Sequence, residues 1–391
     1  MSSRRVMVYV QHLLGVGHLK RCAILADAMT RCGLEVTLVS GGFPVPGLAI
    51  NAARMVQLPP VGAADMSFKV LLDRSGKPLD EALKQQRREL LLDTWRVAHP
   101  HALVIELFPF GRRQMRFELL PLLDTATTAL HRPVVVCSVR DVLGGAQKDP
   151  ARADQMLETF ERYFDHLLVH GDPALIPFGQ TFRHAARIAQ KLHYTGYVVD
   201  RLPVADATQS VGADEVLVSV GGGAVGQTLL ETAIQARPLT VLSGHTWRVL
   251  AGVNASDTDV AALVALAGAQ GSTGVMVERY RADFAQRLAN CRLSVSQGGY
   301  NTIMETLHAG ARAVVVPFAG GAETEQGLRA RLLADRGWID IVEEHALAPR
   351  TLADAINRAA GRAPGGAHAV RLDGAHASAA LLALWTKGKD W

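Results

Sequence analysis

The 391-residue chain has only four cysteines, Cys22, Cys32, Cys137 and Cys291, and no two stand in C-x-x-C spacing. That excludes a disulfide framework and a thiolate metal centre, and it favours a reducing compartment. No apolar run approaches the roughly 20 residues of a membrane-spanning helix. Arg4-Arg5 followed by the short apolar run 6–10 is too small for a secretory signal. Charge of one sign is scarce as well. A formal net charge of +4 over this length gives no general affinity for nucleic acid. A cytoplasmic location is expected, with peripheral contact at the inner membrane face left open.

Glycine, by contrast, is plentiful. Its 36 residues, with 17 prolines, suit the many short loops of an α/β architecture. The length exceeds one core, so two domains are expected. Residues 6–10 read as a buried parallel strand, a helix follows to Gly33, and 35–40 read as the next strand. Further strands are expected at 102–106, 133–138 and 166–170, with helices at 79–98 and 151–163. A second alternation places strands at 215–220, 239–242, 274–277, 293–295 and 313–316. Its helices are expected at 226–236, 258–267, 283–290, 301–309 and 325–336. The fold class is therefore α/β, two Rossmann-like doubly wound domains facing a central cleft. Their expected bounds are 1–204 and 205–374, and a C-terminal helix at 375–391 is expected to pack back on the first.

Two glycine clusters carry the chemistry. Gly221-Gly222-Gly223-Ala224-Val225-Gly226 and Gly298-Gly299-Tyr300-Asn301-Thr302 each lie between a β-like run and a helix-like run. Without a Cβ in the way, backbone N–H groups and a helix N-terminus approach an anion closely. Two such ends converging on one ligand point to a nucleoside diphosphate. Asn301 and Glu305 are four residues apart and share one helix face. Asn301 and Thr302 either cap that helix or bind a phosphate oxygen, while the Glu305 carboxylate reaches towards ribose hydroxyls. Glu325-Gln326, after the strand 313–316, pairs an acid with an amide, which suits sugar hydroxyls; ordinary helix-start acidity is the competing reading.

In the first βα turn, Gly15-Val16-Gly17-His18 sets an imidazole at a helix N-terminus. The dipole there favours the neutral ring, which can take a proton from a hydroxyl. A capping or packing role is the alternative.

These motifs together resemble glycosyltransferase family 28. The resemblance is strongest over residues 280–337 and also covers 15–18, Thr195-Gly196 and 221–226. It implies the GT-B fold, a nucleotide-sugar donor, usually a UDP-sugar, in the C-terminal domain, and a hydroxyl acceptor from the N-terminal domain. It assigns Gly222-Gly223 and Gly298-Gly299, with Thr302, to the diphosphate, and Glu305 to the ribose. The backbone around Tyr280-Arg281 goes to the base, Glu325-Gln326 to the donor sugar, and Gly17 and Asn301 count among the donor contacts. His18 becomes a general base or a diphosphate contact. Family members are typically inverting and metal-independent, so no cofactor and no metal are expected. A looser similarity to uncharacterised glycosyltransferases rests on residues 106–113 and makes Glu106, at a strand end, a rival base.

Three departures narrow the resemblance. Glu325 stands where the family's peptidoglycan-synthesising member has glutamine, Gln227-Thr228 lack the arginine that commonly follows the first cluster, and Lys20-Arg21 add two cations after His18. The acceptor is open between a lipid-linked, a saccharide and a small-molecule compound. Basic residues Lys84, Arg87 and Arg88, and Arg112, Arg113 and Arg116, mix with apolar ones, as at an anionic membrane surface or on a half-buried helix. Two rival functions share the nucleotide grip: a non-hydrolysing UDP-sugar 2-epimerase, and a non-catalytic nucleotide-sugar-binding subunit of a membrane complex.

Overall fold

The computed structural model describes residues 4–391 except 46–47, 49, 51–53, 66–67, 144–148, 201–210, 221–225, 254, 272, 320–324, 363–369 and 390. The chain divides into two units, Met1–Val199 with Arg371–Trp391, and Asp200–Val370.

The first unit runs β1 (Arg4–Val10), α1 (Gly17–Arg31), β2 (Leu34–Ser40), β3 (Arg54–Gln57), β4 (Gly62–Ala63), β5 (Leu71–Leu72), α2 (Glu81–Ala98) and β6 (Ala102–Glu106). It continues through α3 (Arg116–Thr128), β7 (Val134–Arg140), α4 (Pro150–Tyr163), β8 (His166–His170) and β9 (Leu192–Tyr194). Seven parallel strands order as β3-β2-β1-β6-β7-β8-β9, and β4 with β5 makes a small antiparallel ribbon. Helices cover both faces, so the central strands are buried over most of their length and read as largely apolar runs. Local signals set the helix ends. Asp80 accepts the Leu83 N–H to start α2, and Asp149 with Pro150 starts α4.

Arg87 lies in the segment whose basic residues are compatible with a membrane surface, and it is fully buried. Its guanidinium donates to both oxygens of Glu118 on α3, at 2.9 and 2.7 Å, and to Gln11 Oε1 and the Gly41 carbonyl, each at 2.9 Å. Tyr9 Oη donates to the same carboxylate. This face of α2 is a helix–helix seam, and the charge is retained there because it is paired and fully bonded.

The second unit runs β10 (Glu215–Ser219), α5 (Gln227–Ala236), β11 (Thr246–Leu250), α6 (Asp257–Ala269), β12 (Val275–Glu278), α7 (Phe284–Asn290) and β13 (Leu293–Gln297). Then come α8 (Tyr300–Ala309), β14 (Ala313–Val316), α9 (Glu325–Asp335), β15 (Asp340–Ile341) and α10 (Pro349–Ala360). Its six parallel strands order as β12-β11-β10-β13-β14-β15. The strand expected at 239–242 is absent. Pro238 restricts the backbone and removes a donor, Arg237–Leu239 form a 3-10 turn, and the strand in that place is Thr246–Leu250. Trp247, buried within it, donates its indole N–H to the Leu242 carbonyl at 3.0 Å.

In both sheets the order reverses beside the first strand, at β1/β6 and at β10/β13. In open α/β sheets such a reversal is where the loops leaving neighbouring strands part and a crevice opens. His18 and Glu106 stand at the first reversal, and Gly298-Gly299, after β13, at the second. A last helix, α11 (Gly374–Trp385), returns to the first unit and packs on α1, with Ala379 and Leu382 joining Leu19, Cys22, Leu25 and Ala26 in one apolar cluster. Among the described residues, no helix is long and apolar enough to cross a membrane.

Candidate active site

In the first unit, α1 begins at Gly17 and brings His18 over the end of β6. His18 Nδ1 lies 3.0 Å from Glu106 Oε1. Arg21, one turn along α1 and 1% exposed, donates to the same oxygen, and Ser138 on β7 donates its hydroxyl to Oε2 at 2.7 Å. Arg21 therefore faces inward and pairs with Glu106; of the two cations after His18, it does not project into solvent. Arg140, ending β7, approaches His18 Nε2 at 3.4 Å, and Arg112 anchors its Nε on the Gln11 carbonyl at 2.7 Å.

The charges fix the protonation states. Burial first, then the positive charges of Arg112 and Arg140, push the His18 pKa well below its ordinary value, against the hydrogen bond to Glu106. His18 is neutral at neutral pH. Burial alone would raise the Glu106 carboxyl, but the Arg21 charge and the hydrogen bonds with His18 and Ser138 outweigh it, so its pKa is lowered. An ionised Glu106 can only accept, so Nδ1 of His18 carries the proton and Nε2 the lone pair. Arg112 is itself held down at about 10 by burial and by Arg140. Of the two candidate bases, Glu106 has both oxygens occupied, whereas the Arg140 contact on Nε2 is long for a hydrogen bond.

In the second unit, Gly298 and Gly299 join β13 to α8, and Gly299 is the N-cap with no side-chain cap. Asn301 and Thr302 do not cap the helix; both stand half-buried in its first turn, and Glu305 is half-buried one turn on. A Cβ on Gly298 would lie 3.2 Å from Gln326 Cβ, so the glycine loop and the start of α9 are in close approach. Gln326 Oε1 accepts the Phe318 N–H at 3.1 Å. Glu325 is buried and bonds Arg329 at 2.9 Å, and Arg329 stacks over the Tyr300 ring. Its carboxylate is thus partly committed within α9. Tyr280 is exposed just beyond β12, and Arg281 pairs with Asp283 and Glu278. Those two residues follow an edge strand, whereas Gly298 to Glu305 follow the central β13. Gly222 and Gly223 lie outside the described residues. Among the described residues, no group of three or more His, Cys, Asp or Glu side chains is placed to hold a metal.

Sequence reasoning missed Ser138, which bonds Glu106, and His170, whose Nε2 lies 2.9 Å from the Ser138 hydroxyl. A signal was present: each is a polar residue at or near the C-terminal end of a buried apolar strand, as Glu106 is.

Residues 217–364 match the glycosyltransferase family 28 C-terminal domain. The UDP-N-acetylglucosamine--N-acetylmuramyl-(pentapeptide) pyrophosphoryl-undecaprenol N-acetylglucosamine transferase of Brucella anthropi is 30% identical over 178 residues, 44% of this chain and 46% of that protein. The enzyme of the same name from Paraburkholderia xenovorans is 25% identical over 230 residues, 58% of this chain and 56% of its own. The chain thus spans about half the length of these curated relatives. In structure, MurG of Acinetobacter baumannii superposes with a TM-score of 0.61 at 16% identity, covering 98% of this chain and 99% of that one. The fold is GT-B.

Proposed function

We propose that this chain, a GT-B protein with a glycosyltransferase family 28 C-terminal domain, moves a sugar from a nucleotide-diphosphate donor to an acceptor hydroxyl, with inversion. The observation that carries this reading is the neutral His18 ring, with Nδ1 tied to Glu106. In the proposed reaction Nε2 takes the proton of the acceptor hydroxyl as its oxygen bonds the anomeric carbon and the bond to the diphosphate oxygen breaks. Glu106 fixes the tautomer and stabilises the imidazolium that forms, a division of labour between orienting acid and basic ring known from hydrolytic triads.

The donor belongs to the second unit in this reading. Backbone N–H groups at Gly298-Gly299 and the N-terminus of α8 offset the charge of the leaving diphosphate, with Gly222-Gly223 as the second clamp. Thr302 bonds a phosphate oxygen and Glu305 the ribose. A UDP-sugar is the proposed donor, and turnover without added metal is expected. The relatives' printed names make a lipid-linked acceptor the leading candidate.

A thermal-shift panel of UDP-, TDP- and GDP-sugars tests the donor, since a ligand of the folded state raises the melting point. A rise with a UDP-sugar is expected; no response to any UDP compound overturns the assignment. Product analysis with donor alone tests the transfer: an epimerised sugar would identify a 2-epimerase instead.

A further inference from the structure

Glu106 Oε2 is the near end of a longer buried series. Ser138 Oγ lies 2.9 Å from His170 Nε2, and His170 Nδ1 lies 2.9 Å from Thr195 Oγ1. All three side chains are buried; they stand two residues before the end of β7, at the end of β8 and one residue past β9, three neighbouring strands of the sheet. The direction of every bond follows from proton counting. Ionised Glu106 only accepts, so Ser138 spends its single hydroxyl proton there. Ser138 must then accept from His170, which puts the ring proton on Nε2. Nδ1 is left as an acceptor facing Thr195 Oγ1, so the Thr195 hydroxyl turns its one proton to this ring nitrogen at 2.9 Å rather than to the Gly196 carbonyl at 3.0 Å. Burial holds His170 neutral, with a pKa of about 3, so the ring has one N–H to give.

We infer that Thr195, His170 and Ser138 form a chain of fixed donors that locks Glu106, and through it the tautomer and orientation of His18. They are positioning residues, and no proton needs to travel along them. The inference rests on the reading of His18 as the base. A carboxylate with one oxygen undonated would turn in its site, and the ring it holds would turn with it. The donors also disperse the Glu106 charge, which keeps that carboxylate from drawing a proton onto His18.

Four forms of the full chain test this: wild type, Ser138→Ala, His170→Leu and His170→Gln. One measurement is the pH profile of UDP release from whichever UDP-sugar gives the largest thermal shift. The other is the NMR titration of the His18 ring, identified by its loss in His18→Gln. Ser138→Ala and His170→Leu are expected to lower kcat about tenfold, the worth of a hydrogen bond to a charged group, with donor KM kept within about twofold. Both should raise the His18 titration and the acid limb of the profile by about half a pH unit. His170→Gln should restore both, because its amide nitrogen can donate to Ser138 while its oxygen accepts from Thr195. An unmoved acid limb and unchanged His18 ring signals in Ser138→Ala overturn the chain. So does equal loss in His170→Leu and His170→Gln in proportion to melting temperature, which is a merely structural role. Should His18→Gln turn over normally, the base assignment fails on its own, and the ring titration still judges the chain.

Discussion

Arg140 Nη2 approaches His18 Nε2 at 3.4 Å, so a fixed positive charge faces the ring nitrogen that carries the lone pair. The contact disfavours imidazolium while leaving the neutral ring intact. Arg140→Gln is expected to raise the His18 pKa towards its ordinary value, though burial and Arg112 still hold it down. The acid limb of the pH–rate profile should move up with it. A ring titration by NMR that does not move in Arg140→Gln would remove this control.

Acid should destabilise the first unit through His170. Its folded pKa is about 3, against roughly 6.5 for a free imidazole. As pH falls below the free value the unfolded chain gains a proton that the folded chain refuses, so stability is lost down to the folded pKa. The slope approaches about 1.4 kcal/mol per pH unit for this one group. Glu106 adds to the loss below its own ordinary range, because its folded pKa is lowered. Urea denaturation between pH 7.5 and 4 should show the decline, with a shallower one in His170→Gln.

The Arg87–Glu118 pair predicts strong coupling between α2 and α3. Removing one partner leaves a charge buried alone, so Arg87→Met should cost about 3–5 kcal/mol in chemical denaturation. Replacing both, as Arg87→Met with Glu118→Leu, should recover much of that, though Tyr9 and Gln11 also lose a partner. Additive losses in the double variant would contradict the pairing.

The two glycines before α8 should respond differently to alanine. At Gly298 the new Cβ meets Gln326 and Pro317 within 3.2–3.3 Å, whereas at Gly299 nothing lies within 4 Å. Gly298→Ala should lower the melting temperature. Gly299→Ala should leave stability within about 0.5 kcal/mol yet weaken UDP binding, because the methyl group occupies the anion's path. Undiminished UDP affinity in Gly299→Ala, measured by calorimetry, would place the diphosphate elsewhere.

The parallel strands were legible because burial on both faces writes them as apolar runs, and 102–106, 166–170 and 313–316 match the expectation residue for residue. Less was legible where local signals conflict. Pro121 interrupts α3 in sequence yet sits inside the helix, which was not expected at all. The run 239–242 looks apolar, but Val241 is exposed and the true strand begins at Thr246. The candidate residues His18 and Glu106 could be named from their places at a helix start and a strand end. Their meeting could not, since 88 residues separate them and only the strand order brings the two loops together. Arg87 shows the same limit in reverse: its partner lies 31 residues away, so a buried ion pair reads in sequence like a surface charge.

The return of α11 onto α1 gives the first unit a discontinuous chain, with its closing helix made only after all of Asp200–Val370. During synthesis the sheet of that unit can form early, but α1, the helix that carries His18 and Arg21, lacks one wall of its apolar cluster until Ala379 and Leu382 emerge. The second unit has no such dependence and can complete its core first. The order of domain completion therefore runs opposite to the order of translation, and the candidate base is among the last parts of the molecule to be secured.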